Sequence, residues 1–230
     1  MKGTTIIVLL GLYFTNAHGQ SVDNKIAGSA FVNAYDINGK PFTSKALENV
    51  EGSAMFSPDW NLANINFQNG KVAKDIPVQF NLYDNQLYFK KDDMILVFVD
   101  PVASFQFAYA DNGVRRLAHF SNGYPAVQKN TEDTYYQVLV NGPMELLKYV
   151  SKTLAQRAEY GQTSKYEYQS WEDLYAYNAS TKTIVKIKDK SSLTNAFPAF
   201  AKAINDFAAQ RNSKLKSEAE LVDLFNTLNQ

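Results

Sequence analysis

The sequence predicts an α+β protein, an antiparallel β-meander or curved sheet followed by two to three C-terminal helices. Three observations carry that expectation. Asn-Gly dipeptides recur at Asn38-Gly39, Asn69-Gly70, Asn112-Gly113, Asn122-Gly123 and Asn141-Gly142. Both central residues of a type I′ turn need positive φ, which Asn-Gly tolerates best, so each pair reads as a hairpin turn. The segments between them alternate apolar and polar residues with a period of two. After Asp189 the period becomes helical: Phe197, Phe200, Ile204, Phe207 and Arg211 share one face, with Pro198 in the first turn.

The elements follow in chain order. Ala63, Ile65 and Phe67 alternate with Leu62, Asn64 and Asn66, and Val78, Phe80 and Leu82 keep the period beyond Pro77. Asp84-Asn85 turns the chain into Leu87 and Phe89, and Lys91-Asp92-Asp93 turns it again. The unbroken apolar run 94–99 before Asp100-Pro101 predicts a strand buried on both faces. Phe105, Phe107 and Tyr109 form the next strand, joined through Asp111-Asn112-Gly113 to the strand at 117–120. The polar stretch 128–133 reads as a disordered link before the strand at 135–140. Segment 144–157 fits both periods, Leu147, Val150 and Leu154 suiting a helix and Leu146, Lys148, Val150, Lys152 and Leu154 a long strand; the expectation is a strand. A polar segment at 159–170 precedes a hairpin of 174–177 and 183–187 across Ser180-Thr181. Ser217 and Glu220 make a capping box, and Leu221, Leu224, Phe225 and Leu228 line one face of the last helix.

The first nineteen residues carry a separate signal. Lys2 leads an apolar run from Ile6 to Phe14, followed by Ala17-His18-Gly19, the pattern of a secretory signal peptide cleaved before Gln20. That run is shorter than the roughly 20 residues a membrane-spanning helix needs, so the expectation is an exported chain without an integral membrane span. The expected organisation is a signal peptide (1–19), an N-terminal lead-in (20–55), an antiparallel β-rich region (56–190) and a helical segment (191–230) that either joins the sheet as one domain or stands apart.

Charge and composition exclude several functions. The 23 Lys+Arg, less Lys2, nearly balance 23 Asp+Glu. A neutral chain without clustered basic residues lacks the stripe that nucleic-acid binders use and the polybasic patch that anionic membranes attract. With 45% hydrophobic and 13% aromatic residues, the chain can build a packed core without disulfides. It has no cysteine, which removes thiolate catalysis, Cys-ligated zinc, iron–sulfur clusters and an acylated N-terminal Cys. No G-x-G-x-x-G, Walker, H-E-x-x-H, G-x-S-x-G or EF-hand pattern occurs. The expectation is no cofactor, no metal and no catalytic set.

Few residues remain as candidates. Beyond the leader His119 is the one histidine; a base–nucleophile pair with Ser121 is set against an ordinary half-exposed strand histidine, which is preferred. Asp59 beside Trp60 superficially suits glycoside chemistry, yet no spacing rule supplies the second acid, and Ser57-Pro58-Asp59 reads as a turn. Asp100 before Pro101 reads as a strand stop. The region 160–177 holds Tyr160, Tyr166, Tyr168, Trp171, Tyr175 and Tyr177. Tyr175 and Tyr177 read as packing residues. Tyr166, Tyr168 and Trp171 lie among polar neighbours and are the expected partner-binding residues.

The blocks Phe56-Ser57-Pro58-Asp59-Trp60, Gly70-Lys71, Ile76-Pro77-Val78, Phe80-Asn81-Leu82-Tyr83, Asn85-Gln86-Leu87 and Val99-Asp100-Pro101-Val102 resemble a broad family of uncharacterised exported proteins of Bacteroidota-type bacteria. The likeness covers most of residues 50–230 and brings no activity or catalytic residue with it. It implies an envelope setting in a diderm bacterium, as does Gln20 as first mature residue. The helical end, in place of a Gly-rich sorting domain, and the final Gln230, in place of a barrel-closing aromatic, direct the expectation to the periplasm, with an extracellular location as the other choice. Three functions follow in order: a non-catalytic periplasmic interaction protein, such as an accessory of an outer-membrane complex; a carrier of an apolar ligand wrapped by the Phe80, Phe89, Phe98, Phe105 and Phe107 strands; and a carbohydrate-binding or carbohydrate-active protein. In the carrier case the C-terminal helices are expected to cover the Phe-rich sheet.

Overall fold

The structure, a computed structural model, describes residues 31–32, 37–41, 50–157 and 165–230. The expected signal peptide, most of the expected lead-in and Tyr160 lie outside the described residues. The strands are β1 (Phe31–Val32), β2 (Gly39–Pro41), β3 (Val50–Glu51), β4 (Asn61–Phe67), β5 (Val72–Asn81), β6 (Gln86–Lys91), β7 (Met94–Phe98), β8 (Val102–Asp111), β9 (Val114–Ser121), β10 (Tyr136–Val140), β11 (Met144–Arg157), β12 (Lys165–Asn178) and β13 (Thr183–Lys186). Three helices follow, α1 (Lys190–Ala196), α2 (Ala201–Gln210) and α3 (Glu218–Leu228), with a 3-10 turn at Pro198–Phe200.

The α+β expectation is corrected. One mixed sheet dominates, with strand path β13-β12-β11-β10-β9-β8-β4-β5-β6-β7-β2, β1 parallel to β5 and β3 parallel to β12. Helix accounts for only 17% of the described chain. The three short helices form a cap on one part of the sheet and not a second half of the fold. Strand content grew instead where the polar segment 159–170 was expected, because β12 begins at Lys165 and pairs residue for residue with β11 down to Met144↔Asn178.

The link between β7 and β8 shapes the first half. Only residues 99–101 join these strands, although β6, β5 and β4 lie between them in the sheet. In a flat sheet the two would stand about 19 Å apart, whereas four Cα steps reach at most about 14 Å. The sheet must curl, and it does: Gln68 N donates to Pro101 O at 2.9 Å, and the rings of Phe67 and Phe98 meet at 5.8 Å. Inside the curl Phe120 touches Phe56, Phe80, Phe105 and Phe107 at ring separations of 4.9–6.1 Å. Gly39 in β2 packs so closely that a Cβ there would lie 2.6 Å from the Phe89 ring. Asn38-Gly39 therefore serves close approach rather than a turn. At Asn112-Gly113 both residues have positive φ, 50° and 79°, as a type I′ hairpin requires.

Two further expectations are corrected. The run 94–99 is not buried on both faces: Met94, Ile95 and Val99 are exposed, since β7 lies near the sheet edge with only three-residue β2 beyond it. The helices do not cover the phenylalanine core. They pack on β10–β13, where Leu193, Ile204, Leu221 and Phe225 join Val140, Met144, Leu146 and Ala176 in a separate cluster. The opposite face of those strands carries Tyr136, Leu147 and Tyr175, and Tyr124 packs on them. Over it lies the segment expected to be a disordered link, held in order by Gly123 N to Glu132 O at 2.7 Å and by a bridge between Val127 and Asn130.

The last helix is fastened at both ends. Ser217 and Glu220 form the expected capping box at its start. At its end the Asn229 side-chain amide accepts from Met144 N at 2.9 Å and donates to Met144 O at 2.8 Å, as a neighbouring strand would. A Cβ on Gly142 would lie 2.6 Å from that amide. Asn229→Ala should lower the free energy of unfolding by about 1–3 kcal/mol, the range for leaving a partly buried backbone pair unsatisfied. A urea titration checks it, and Gly142→Ala should act in the same direction.

Candidate interaction surface

The structure separates the three predicted contact residues. Directly opposed residues of an antiparallel pair share a face. Tyr166 and Tyr168 therefore stand on one face, opposite Gln156 and Leu154, and Trp171 stands on the other, opposite Ser151. Tyr168 meets Tyr83 edge-on at 5.8 Å, and Tyr166 sits beside Val50 of β3, so both help to close the molecule on itself. Trp171 is 58% exposed, and its indole N–H donates to Thr153 Oγ1 at 3.0 Å. The distal parts of β11 and β12 thus form a ribbon with Trp171 as its exposed aromatic residue.

The remaining candidates do not assemble. His119 and Ser121 are both on β9, but Ser121 Oγ is turned to the Asn122 carbonyl at 3.4 Å. Burial pulls the His119 imidazole below its usual pKa. Asp59 is exposed in the bend before β4, where its carbonyl accepts from Asn61. Asp100 lies 3.7 Å from Lys71. A cleft of about 330 Å³ at the end of the curl is lined by Gln68, Asp84, Asn85, Asp100, Asp133 and Tyr135 among others. Its polar groups serve the fold: Asn85 donates to Asp133 O at 2.9 Å and accepts from Tyr135 N at 3.1 Å. Asp84 accepts from the Tyr88 hydroxyl at 2.6 Å, while burial raises its pKa. No group of acidic residues and histidine able to hold a metal occurs among the described residues.

A polar layer lies under the 122–135 segment. Asn130, 3% exposed, donates to Tyr136 Oη at 2.9 Å and Tyr175 Oη at 3.5 Å. The Tyr124 hydroxyl donates to Glu145 at 2.7 Å. Such buried networks specify one packing when every member is satisfied, and among the described residues no buried side-chain polar atom lacks a partner.

The surface with the clearest signal is the outside of the curl. Register places Pro77 of β5 opposite Leu62 of β4, and Ala108 of β8 opposite Leu117 of β9, with Leu62 one step beyond the Ala63↔Phe107 pair. Pro77, Leu62, Ala108 and Leu117 form one outward row across four strands. Leu62 is 63% exposed and Leu117 66%. A groove of about 400 Å³ runs alongside, with Ala108 and Ala110 beside Leu62, Trp60 and Arg115. The rows beyond it are polar, Asn64, Gln106 and His119, then Asn66, Ser104 and Ser121. Sequence reasoning missed this surface because single outward leucines at 62 and 117 look ordinary until strand register aligns them. The alternation did mark Leu62 as facing away from the core.

No helix among the described residues is long and apolar enough to cross a membrane. Comparison with family models, with curated proteins and with solved structures finds no match.

Burial raises the Glu145 pKa, with the Tyr124 hydrogen bond opposing. The folded chain therefore holds this proton more tightly than the unfolded chain, and stability falls as pH rises from the usual glutamate range through the raised folded value. Glu145→Gln keeps an acceptor for Tyr124 and removes the buried charge. It should raise the urea midpoint at pH 7 and leave it unchanged at pH 3, where both states of the parent are protonated.

Proposed function

We propose that this chain is a non-catalytic interaction protein of the bacterial envelope, exported by its leader to the periplasm, that binds a protein partner such as a component of an outer-membrane complex. The observation that carries the reading is the outward row of Leu62, Ala108 and Leu117 with the adjoining groove. Contiguous apolar surface on a folded domain marks a contact site more often than chance exposure does, and here it follows strand register across a rigid sheet. The pattern of residues 1–19 and the family likeness support the envelope setting. The interior supports this reading over a carrier, since the curl is filled by phenylalanine rings in mutual contact. Trp171 belongs to a second, smaller contact area. Tyr166 and Tyr168 support it from behind.

The test is site-specific photo-crosslinking in cells from positions 62 and 117, with position 66 on the same face as control. Leu62 and Leu117 should give one discrete protein adduct that position 66 does not. Leu117→Glu and Leu62→Glu should each weaken binding of that protein at least tenfold, about 1.4 kcal/mol, with the unfolding midpoint unchanged. Adducts absent from both leucine positions would overturn the reading.

A further inference from the structure

We propose that the outer edge of β9 receives an extended segment of a partner polypeptide as an added strand, and that one face of this segment carries a carboxylate and, two residues away, an apolar side chain. The proposal rests on the interaction reading above and names its mode and the chemistry of its partner. Three observations support it.

The first is an open backbone edge. β9 pairs with β8 along its whole length, from Asp111↔Val114 to Ser104↔Ser121, but with β10 only at Ser121↔Tyr136 and Phe120↔Gln137. The two-residue turn at Asn112-Gly113 makes Asp111 and Val114 the closing hydrogen-bonded pair. Bonds to β8 then alternate through Arg116, Ala118 and Phe120, and the contact of Asn122 N with Ala103 O at 3.1 Å keeps the same phase. Arg115, Leu117 and His119 must direct their N–H and C=O groups away from β8. No strand among the described residues meets those of Arg115 and Leu117 there, while His119 stands at the end of the β10 pairing.

The second is space beside that edge. Beyond Gln137 the continuation of β10 leaves β9 and follows β11. The strands enclose a slot of about 470 Å³, bordered by Leu117 and Arg116 on one side and by Gln137, Leu139, Lys148 and Glu218 on the other. Unpaired edges of this kind are where extended peptides add to sheets, main-chain bonds supplying affinity and alternate side chains supplying specificity.

The third is charge. Within the slot Arg116 pairs with Asp111 at 2.9 Å and Lys148 with Glu218 at 2.9 Å. Arg115, exposed on the same outward face as Leu117, has no ion pair among the described residues. An added strand places one side chain beside Arg115 and the next on that face beside Leu117, favouring a carboxylate and an apolar group respectively. A second copy of this chain fits less well, since pairing two β9 edges sets four guanidinium groups against two Asp111 carboxylates.

The experiment uses the mature chain, a fluorescein-labelled hexapeptide Thr-Glu-Thr-Val-Thr-Glu, whose glutamates and valine share one face of a strand, and its counterpart with lysine in place of glutamate. In the free protein the amides of Arg115 and Leu117 should exchange with solvent at least tenfold faster than those of Arg116 and Ala118. The glutamate peptide should slow those two at least tenfold. It should bind at least tenfold tighter than the lysine peptide, and Arg115→Glu should reverse that preference with the unfolding midpoint retained; Arg115→Gln, which should abolish it, serves if the first variant does not fold. Protection of both amides in the free monomer, equal binding of the two peptides, no binding at millimolar concentration, or a dimer that protects the same amides would overturn the proposal. Crosslinks from Leu62 and Leu117 that survive in Arg115→Glu would overturn the edge mode while the interaction reading stands; loss of all crosslinks in the parent chain would overturn that reading itself.

Discussion

The architecture depends on the shortness of the chain between β7 and β8. Three residues cannot bridge four strand spacings unless the sheet bends, and the bend creates an inside and an outside. The inside is then filled with phenylalanine, whose edge-to-face contacts add specific geometry to burial worth roughly 1.5–3 kcal/mol per side chain. The outside faces solvent, and whatever apolar residues fall on it are exposed in strand register. Leu62 and Leu117 are therefore exposed by the same constraint that buries Ile65 and Phe120.

The second half solves a different problem. β10 to β13 need cover on both faces. On one, the helices supply leucine and phenylalanine, with α3 tied to β11 by Asn229. On the other, a chain segment rich in polar residues covers a tyrosine layer, and Asn130 provides the hydrogen bonds those hydroxyls need. The curled strands and β10–β13 share a continuous strand path only through the short β9–β10 contact. Beyond Gln137 β10 follows β11, which leaves the β9 edge open along Arg115 and Leu117.

Local structure was legible in the sequence wherever one side chain decides it. The Ser217 and Glu220 cap, the Asn112-Gly113 turn, the strand at 144–157 and the inward phenylalanines all follow from chemistry within a few residues. Properties set by distant neighbours were not legible. The exposure of Met94 and Ile95 depends on how little chain lies beyond β7, and the order of 128–133 depends on tyrosines contributed by β10 and β12. The weight of helix against strand was misjudged because 165–170 is polar on both faces, and only pairing with β11 makes it a strand. Tyr166, Tyr168 and Trp171 were grouped by nearness in sequence; the strand's period of two sends Trp171 to the opposite face. The contact surface itself needed the register of four strands before two leucines became one row.

The central claim is that the sheet is continuous in path but splayed between β9 and β10. Cross-strand nuclear Overhauser effects measured on the isotopically labelled chain test it most directly. The account predicts contacts for the backbone protons of Ser121 with Tyr136 and Phe120 with Gln137, and none for Ala118 with Leu139 or Leu117 with Val140. A ladder unbroken to Leu117 and Val140 would contradict it, because the edge and the slot beside it would not exist.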